Sequence, residues 1–245
     1  ITCNSFYIEA HLYNIPGLSE NFIYINDDCM FASPLTPYDF FKYNGNEFIP
    51  VYYNTNNRIK HGFDKSLEYE LSHSEVWLAA TYYTNGVLNA VNGNMDFNAP
   101  PRYFMSHAPY SLNITQCARI YRKYKNYIDA MHSHKTRHWQ DVIFMLLYRY
   151  ETYGHHIYCK SVSTPSTPSP SSTSPSSTSP SSSSISTPLI TVTDDMDANK
   201  KHFEKLVQSD PLLFTVNDEF TSSHVGKALT QFLHQCFPDK SSFEK

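Results

Sequence analysis

The chain has no long apolar run, no basic excess and no regular cysteine pattern. No stretch reaches the roughly 20 apolar residues of a membrane-spanning helix, and no signal peptide opens the chain. The formal net charge is −4 over 245 residues, so the basic footprint of a nucleic-acid binder is absent. The five cysteines match no metal motif, and an odd number cannot all pair internally. Function must therefore be sought in the polar clusters.

Composition divides the chain into three parts. From residue 161 to residue 188 every residue is serine, threonine or proline, with two exceptions. Such a tract cannot bury apolar surface to offset chain entropy, so we predict a disordered linker there, with an O-glycosylated stalk as the alternative. Residues 1–160 have the aromatic side chains for a core. Residues 189–245 are too few to form a stable core alone, so we expect them to pack on residues 1–160.

Apolar periodicity predicts three helices and two strands. The clearest helix has apolar residues at i, i+3, i+4, i+7, i+8 and i+11 from Trp139, with Gly154 as its terminator. Shorter apolar patterns predict a helix before it and another in the tail, which stops near Pro238. The predicted helices run over residues 139–150, 117–128 and 225–233, and the predicted strands over residues 22–25 and 48–53.

The first of these strands ends on a polar cluster. Asn26, Asp27 and Asp28 follow Ile25 directly. Two adjacent carboxylates are costly unless they face water, a metal or a cation, and ligands of open α/β sheets lie beyond the carboxyl ends of strands. The cluster therefore predicts a site for a divalent metal and a diphosphate, or for proton transfer. A polar turn is the alternative, because Asn and Asp are common turn residues.

Two downstream segments add candidate groups. His107 lies in a loop just before a predicted helix, where an imidazole could take a proton, and a surface histidine is the alternative. Arg137 lies at a predicted helix start, where its guanidinium could bind phosphate. Asp141 is four residues on, so we expect it to share a helix face with Arg137 and orient it. The alternative is a solvated helix cap with one exposed ion pair.

Other polar residues are open to two interpretations. His132, His134 and His138 suggest zinc, but no familiar carboxylate or cysteine partner completes the pattern, and a histidine-rich surface is favoured. Glu9 precedes the strand on a helix or loop, and it is either a supporting partner of the site or plain polar surface.

Three groups of segments follow one another along the chain in the same order as the conserved regions of a known protein family. The first group comprises Asn4-Ser5, Ile8-Glu9-Ala10-His11-Leu12, Ile15-Pro16-Gly17-Leu18-Ser19-Glu20, the run from Phe22 to Asp28, and Pro34-Leu35-Thr36-Pro37-Tyr38-Asp39-Phe40-Phe41. The second comprises His107-Ala108-Pro109, and Arg137-His138 with Asp141; the third comprises Asn217-Asp218, Phe237-Pro238 and Ser241-Ser242-Phe243-Glu244. They resemble the second, third and fourth conserved regions of the Stealth family of hexose-1-phosphate transferases, which includes bacterial capsule-polymer phosphotransferases and the animal enzyme that modifies lysosomal glycoproteins.

The resemblance implies an α/β fold with a Rossmann-like sheet flanked by helices, similar to nucleotide-sugar transferases. The family's first region, an Asp-containing strand motif, has no counterpart here, and the chain opens at Ile1. We therefore expect a chain that is incomplete at its N-terminus, with residues 1–160 as a partial catalytic domain. Activity of this chain alone is accordingly in question.

The resemblance also implies a reaction. A hexose-1-phosphate, such as N-acetylglucosamine-1-phosphate, would pass from a UDP-sugar to a hydroxyl of a glycan or polysaccharide, and UMP would leave. The implied catalytic residues are Asp27, Asp28, His107 and Arg137; the implied cofactor-binding residues are Asn26, Glu9 and Asp141; and Asp27 and Asp28 would bind Mg²⁺ or Mn²⁺. Which of Asp27, Asp28 and His107 is the base is left open.

Two other classes of protein compete with this reading. An inactive sugar-binding or adaptor module is favoured by the missing first region, and a secreted mucin-like protein by the linker alone. The linker and the sequon Asn113-Ile114-Thr115 favour the Golgi or secretory lumen, with a bacterial cytoplasmic enzyme as the alternative.

Overall fold

The computed structural model describes residues 2–43, 48–50, 52–59, 75–93, 102–153, 159–161 and 188–239. These residues form a mixed α/β structure, which confirms the α/β part of the predicted fold class, whereas the Rossmann-like sheet stays a prediction. The predicted linker falls outside them over residues 162–187, as do the terminator Gly154 and the segment from Ser241 to Glu244. Among the helices described, none is both long and apolar enough to cross a bilayer.

The bounds of the elements are as follows. The strands are β1 (Asn21–Tyr24), β2 (Cys29–Phe31), β3 (Phe41–Tyr43), β4 (Phe48–Pro50), β5 (Tyr52–Arg58), β6 (Tyr103–Met105), β7 (Tyr110–Asn113), β8 (Cys159–Ser161), β9 (Leu189–Thr193) and β10 (Leu213–Glu219). The α-helices are α1 (Ser5–Glu9), α2 (Pro37–Phe40), α3 (Val76–Asn92), α4 (Ile114–Lys123), α5 (Lys125–Ala130), α6 (Phe144–Tyr153), α7 (Met196–Ser209) and α8 (Ser223–Cys236), and 3₁₀ turns span Leu12–Asn14 and Met131–Ser133.

The first of two compact units comprises Ile1–Tyr24, Phe40–Met105 and Tyr110–Cys159. In it β1 pairs antiparallel with β7, with Phe22 opposite Leu112. Both of these side chains join a core built mainly from α3, α4 and α6. The polar segment after β1 therefore does not follow a parallel strand, as the sheet-edge argument assumed, because the only described partner of β1 is antiparallel.

Helix α3 was not predicted, although its local signals are clear. The carboxylate of Glu75 accepts hydrogen bonds from the backbone N–H groups of Trp77 and Leu78, which satisfies two donors at the helix start. The helix ends at Gly93, whose φ of 68° is the left-handed conformation that glycine adopts without strain. One face of the helix, including Ala80 and Leu88, is fully buried.

The predicted helix from Trp139 begins later than its apolar pattern indicated. The first helical residue of α6 is Phe144, and residues 134–143 are turns and irregular backbone. The Asp141 carboxylate accepts a hydrogen bond from the His138 backbone N–H and closes a turn instead of a helix. The predicted helix over residues 117–128 is confirmed as α4 and α5, with a break at Tyr124.

The second compact unit comprises Ile25–Asp39, Ser106–Pro109 and Lys160–Lys245. Strand β10 lies between β2, which is antiparallel to it, and β9, which is parallel. Helix α7 connects β9 to β10, and its Phe203 ring stacks on Phe232 of α8 with centroids 4.2 Å apart. Helix α8 confirms the helix predicted in the tail. The second unit thus combines segments from residues 1–160 with the tail, so its bounds differ from the predicted division. That division, with residues 189–245 packed on residues 1–160, stays a prediction.

Candidate functional site

A histidine, a carboxylate and an amide converge in the second unit. His107 Nε2 lies 3.2 Å from Asp28 Oδ2 and 2.9 Å from Asn26 Nδ2. The side chains of His107 and Asp28 are 33% and 23% exposed, so the pair can meet a substrate while partly shielded from water. The structure therefore brings three of the predicted site residues together, and their role stays a prediction. A strand, β7, separates His107 from the helix that was expected to follow it directly.

Strand β10 holds both members of the pair. The Thr215 hydroxyl donates to the His107 backbone carbonyl at 2.9 Å. The Val216 backbone N–H donates to the Asp28 carbonyl at 3.0 Å. Two neighbouring residues of one strand therefore fix the backbone on either side of the site. Thr215 was missed in the sequence, where a threonine in a strand carries no signal of such a contact.

The remaining groups of this turn differ in exposure. Asp27 is exposed, whereas the next cysteine, Cys29, is buried. Burial raises the pKa of the Cys29 thiol, and a hydrogen bond with Thr215 offsets this only in part. The thiol is thus a poor nucleophile. Asp27 and Asp28 offer adjacent carboxylate oxygens, which suit a hard cation such as Mg²⁺ that keeps waters and binds diphosphate.

Glu9 in the first unit is a buried carboxyl group. It ends α1 and is 8% exposed, and the Tyr24 hydroxyl donates to its Oε1 at 3.3 Å. Burial raises the pKa of Glu9 to about 7, although the Tyr24 hydrogen bond and the positive charge of Arg137 oppose the rise. Glu9 is therefore not plain polar surface, which was one of its two predicted interpretations. A carboxyl group with this pKa can exchange a proton near neutral pH.

Arg137 is exposed and lies in irregular backbone, so its predicted place at a helix start is wrong. Its Nε donates to the Ser5 hydroxyl at 2.8 Å, and its guanidinium lies 5.0 Å from the Phe6 ring centroid. These contacts hold the side chain along α1. They involve one N–H of the guanidinium, and the fork has others with which to bind an anion.

Asp141 is fully buried and does not orient Arg137, which corrects the prediction. The helix that would have placed the two on one face is absent from residues 134–143. Asp141 Oδ1 lies 2.6 Å from His134 Nδ1, and Oδ2 accepts from Asn4 Nδ2 and from the His138 backbone N–H, each at 2.7 Å. The expectation that no carboxylate accompanies the clustered histidines is also wrong.

The predicted site residues thus fall into two groups in separate units. Asn26 and Asp28 are each within hydrogen-bonding distance of His107, and Asp27 is adjacent in the chain. Glu9, Arg137 and Asp141 lie in the other unit. Asn4 and His134, the side-chain partners of Asp141, were missed as a set because their spacing in sequence is long and irregular.

Comparison with known proteins finds one family. Residues 1–49 match the model of Stealth protein CR2, conserved region 2. Over 44 residues, 18% of this chain, the chain is 61% identical to a capsular polysaccharide phosphotransferase of Neisseria meningitidis serogroup B and 59% identical to the capsular polysaccharide phosphotransferase fcs1 of Haemophilus influenzae. In both alignments the chain spans only 12% of the relative's length.

A longer alignment has lower identity. The receptor polysaccharide phosphotransferase WefC of Streptococcus oralis is 24% identical across 97% of this chain and 68% of its own length. The matched region 1–49 contains Glu9 and the Asn26–Asp28 turn, and the WefC alignment extends beyond it to most of the chain. The chain therefore contains a segment that matches conserved region 2 of the Stealth proteins, and it is similar to a polysaccharide phosphotransferase over most of its length.

Proposed function

We propose that this chain is part of an enzyme that transfers a hexose-1-phosphate from a UDP-sugar to a hydroxyl of a glycan or polysaccharide, with release of UMP. N-Acetylglucosamine-1-phosphate is the group we expect to be transferred. The observation that carries the proposal is the pair of His107 and Asp28, because phosphoryl transfer to a hydroxyl needs a positioned base. The relatives, named as polysaccharide phosphotransferases, support the reaction class.

The two contacts of His107 Nε2 require different protonation states of that nitrogen. Asp28 accepts a hydrogen bond and needs Nε2–H, whereas an amide N–H of Asn26 needs a lone pair there. A charge-assisted bond is the stronger of the two, so we assign the proton to Nε2 and its acceptor to Asp28. The amide of Asn26, once flipped, presents its oxygen to the same proton. This leaves the Nδ1 lone pair of His107 as the base.

The reaction follows from this assignment. Nδ1 of His107 takes the proton of the acceptor hydroxyl as its oxygen attacks the sugar-side phosphorus. The bond from that phosphorus to the bridging oxygen breaks, and UMP leaves with the electron pair. The Asp28 carboxylate stabilises the imidazolium that forms. Attack at phosphorus keeps the sugar C1–O bond intact, which distinguishes this reaction from glycosyl transfer.

Charge on the diphosphate calls for cationic partners. We propose that Asp27 and Asp28 hold Mg²⁺ or Mn²⁺ through carboxylate oxygens, and that the ion neutralises diphosphate charge when bound. Arg137 is our candidate clamp for the transferring phosphoryl group, and Glu9 for a donor contact. A Rossmann-like sheet for the nucleotide is part of the same proposal.

The product nucleotide tests the reaction directly. The protein that carries this chain is incubated with UDP-N-acetylglucosamine, Mg²⁺ and an oligosaccharide acceptor, and the released nucleotide is identified by chromatography. We expect UMP. Release of UDP would instead show glycosyl transfer and overturn the proposal.

A donor-binding measurement separates the enzyme from the adaptor reading. We expect Asp28→Asn to lose turnover even at saturating UDP-sugar and Mg²⁺, because the imidazolium loses its counter-charge. If the wild-type protein binds the donor and releases no nucleotide with any acceptor, the inactive sugar-binding module is correct. Unchanged turnover of Asp28→Asn would remove Asp28 from the mechanism.

A further inference from the structure

The first unit contains a second cluster of ligand-type side chains that the proposed reaction does not use as a centre. His134, His138 and Asp141 each offer one nitrogen or oxygen atom, and these atoms all lie within 4.8 Å of one another. The two imidazole rings are 4.3 Å apart between centroids. Two imidazoles and one carboxylate are a ligand set that Zn²⁺ favours.

The carboxylate of this cluster is preorganised by its other contacts. Asp141 Oδ2 is anchored by the Asn4 amide and by the His138 backbone N–H, each at 2.7 Å. Oδ1 points at His134 Nδ1, 2.6 Å away. The carboxylate is fully buried, so its orientation is set by these donors and not by solvent. Ligands oriented by surrounding hydrogen bonds bind metals more tightly than free ones.

We propose that His134, His138 and Asp141 bind a zinc-class divalent cation. The ion takes the place of the proton between His134 Nδ1 and Asp141 Oδ1, and that proton is released to solvent. Ligand atoms of a tetrahedral zinc site lie roughly 3.3 Å apart, so we expect the cluster to close around the ion by side-chain rotation. Both histidines are half-buried, which gives the ion access and leaves a position for water.

This site is distinct in chemistry from the one proposed at Asp27 and Asp28. That pair supplies only carboxylate oxygens, which suit Mg²⁺, whereas imidazole nitrogen suits Zn²⁺ and Co²⁺. The inference does not rest on the proposed reaction, since a metal bound between two histidines can exist in an inactive protein. A metal-binding readout is therefore independent of any turnover assay.

Direct titration tests the site in the full chain. The protein is treated with a chelator, dialysed, and titrated with ZnCl₂ by calorimetry in excess Mg²⁺. In a separate sample Co²⁺ is added and the visible absorption spectrum of the bound ion is recorded. We expect one Zn²⁺ per chain and the intense absorption of four-coordinate Co²⁺. His138→Gln should weaken Zn²⁺ binding at least about 100-fold, because a ligand is lost. His132→Gln, a nearby exposed histidine outside the cluster, is the matched control and should leave it unchanged.

A second variant separates ligand loss from misfolding. Asn4→Ser keeps an oxygen that can cap α1 but removes the amide that anchors Asp141. It should retain a cooperative thermal transition and bind Zn²⁺ about 10- to 100-fold more weakly, as expected for a supporting partner. Sub-stoichiometric Zn²⁺ binding by the wild type, or equal affinity in His138→Gln, would show that the cluster serves only to hold the loop, and would overturn the proposal.

Discussion

Two carboxylate–histidine pairs of the same chemistry lie in different surroundings within the described part of the chain. His107 and Asp28 are 3.2 Å apart, and both side chains are partly exposed. His134 and Asp141 are 2.6 Å apart, and the carboxylate is completely buried. The second carboxylate also accepts hydrogen bonds from two further N–H donors.

The comparison shows that two properties of the carboxylate decide what such a pair can do: its burial and the number of hydrogen bonds that it accepts. A buried carboxylate that is held by three hydrogen-bonding partners is expensive to disturb, so it fixes a loop or a metal. A partly exposed carboxylate with one imidazole partner contributes little to stability. It can still stabilise the imidazole when that ring gains a proton. The first pair is suited to proton transfer, and the second to structure.

The largest expected effect is on turnover at the exposed pair. His107→Gln should lower kcat about 10²- to 10⁴-fold, the range for loss of a general base, with little change in melting temperature. Nucleotide release and thermal unfolding are measured on the same preparation. His132→Gln is the control for histidine loss as such. Retention of full kcat in His107→Gln would end the distinction between the pairs.

The buried pair should respond in the opposite way. Asp141→Asn should cost about 3 kcal/mol of unfolding free energy, because an amide nitrogen cannot accept the hydrogen bonds that one carboxylate oxygen accepts, and buried donors lose their partner. Urea titration followed by circular dichroism measures this loss. Asp129→Asn, which breaks an exposed pair with Lys125, is the matched control and should change stability little. Equal stabilities of the two variants would show that the buried network is dispensable.

Glu9 offers a test of burial by pH. Its pKa is about 7 when folded against an ordinary 4.5, so the folded chain binds more protons between these pH values. Stability therefore falls as pH rises from 4.5 to 7 and is flat above. Glu9→Gln should remove this loss and be more stable than wild type at pH 8 by up to about 3 kcal/mol. Parallel pH profiles of the two proteins would contradict the raised pKa.

The smallest expected effect is on stability at Arg137. Arg137→Lys keeps the charge but loses the planar fork, so kcat/KM should fall about tenfold while unfolding free energy changes by less than about 1 kcal/mol. Steady-state kinetics and urea titration are the measurements. A destabilisation as large as that of Asp141→Asn would instead make Arg137 part of the scaffold.

Sequence patterns anticipated the exposed pair better than the buried one. Asn26 and His107 are 81 positions apart, and the resemblance to the Stealth family was the signal that grouped them. The α/β class was also implied by the resemblance, whereas the helices of the 117–128 and 225–233 segments followed from apolar periodicity. Such local signals survive because the same residues that form the stripe also form the core.

The buried network could not be inferred in the same way. An apolar stripe starting at Trp139 indicated a helix, yet the Asp141 side chain captures the His138 backbone N–H and delays the helix to Phe144. That competition depends on Asn4, which lies 137 positions away and holds the same carboxylate. Apolar periodicity does not take a hydrogen-bond donor elsewhere in the sequence into account, so it could not predict the position of this turn.

The pairing of β2 with β10 has a consequence for how the chain matures. Cys29 and Thr215 are 186 positions apart, and the Val216 N–H holds the Asp28 carbonyl. During synthesis, the Asn26–Asp28 turn therefore leaves the ribosome long before β10, the strand that supports it. Such late, distant pairing slows folding, because loop closure must precede the contact. We therefore expect the Asn26–Asp28 turn to become ordered only after β10 has been synthesised.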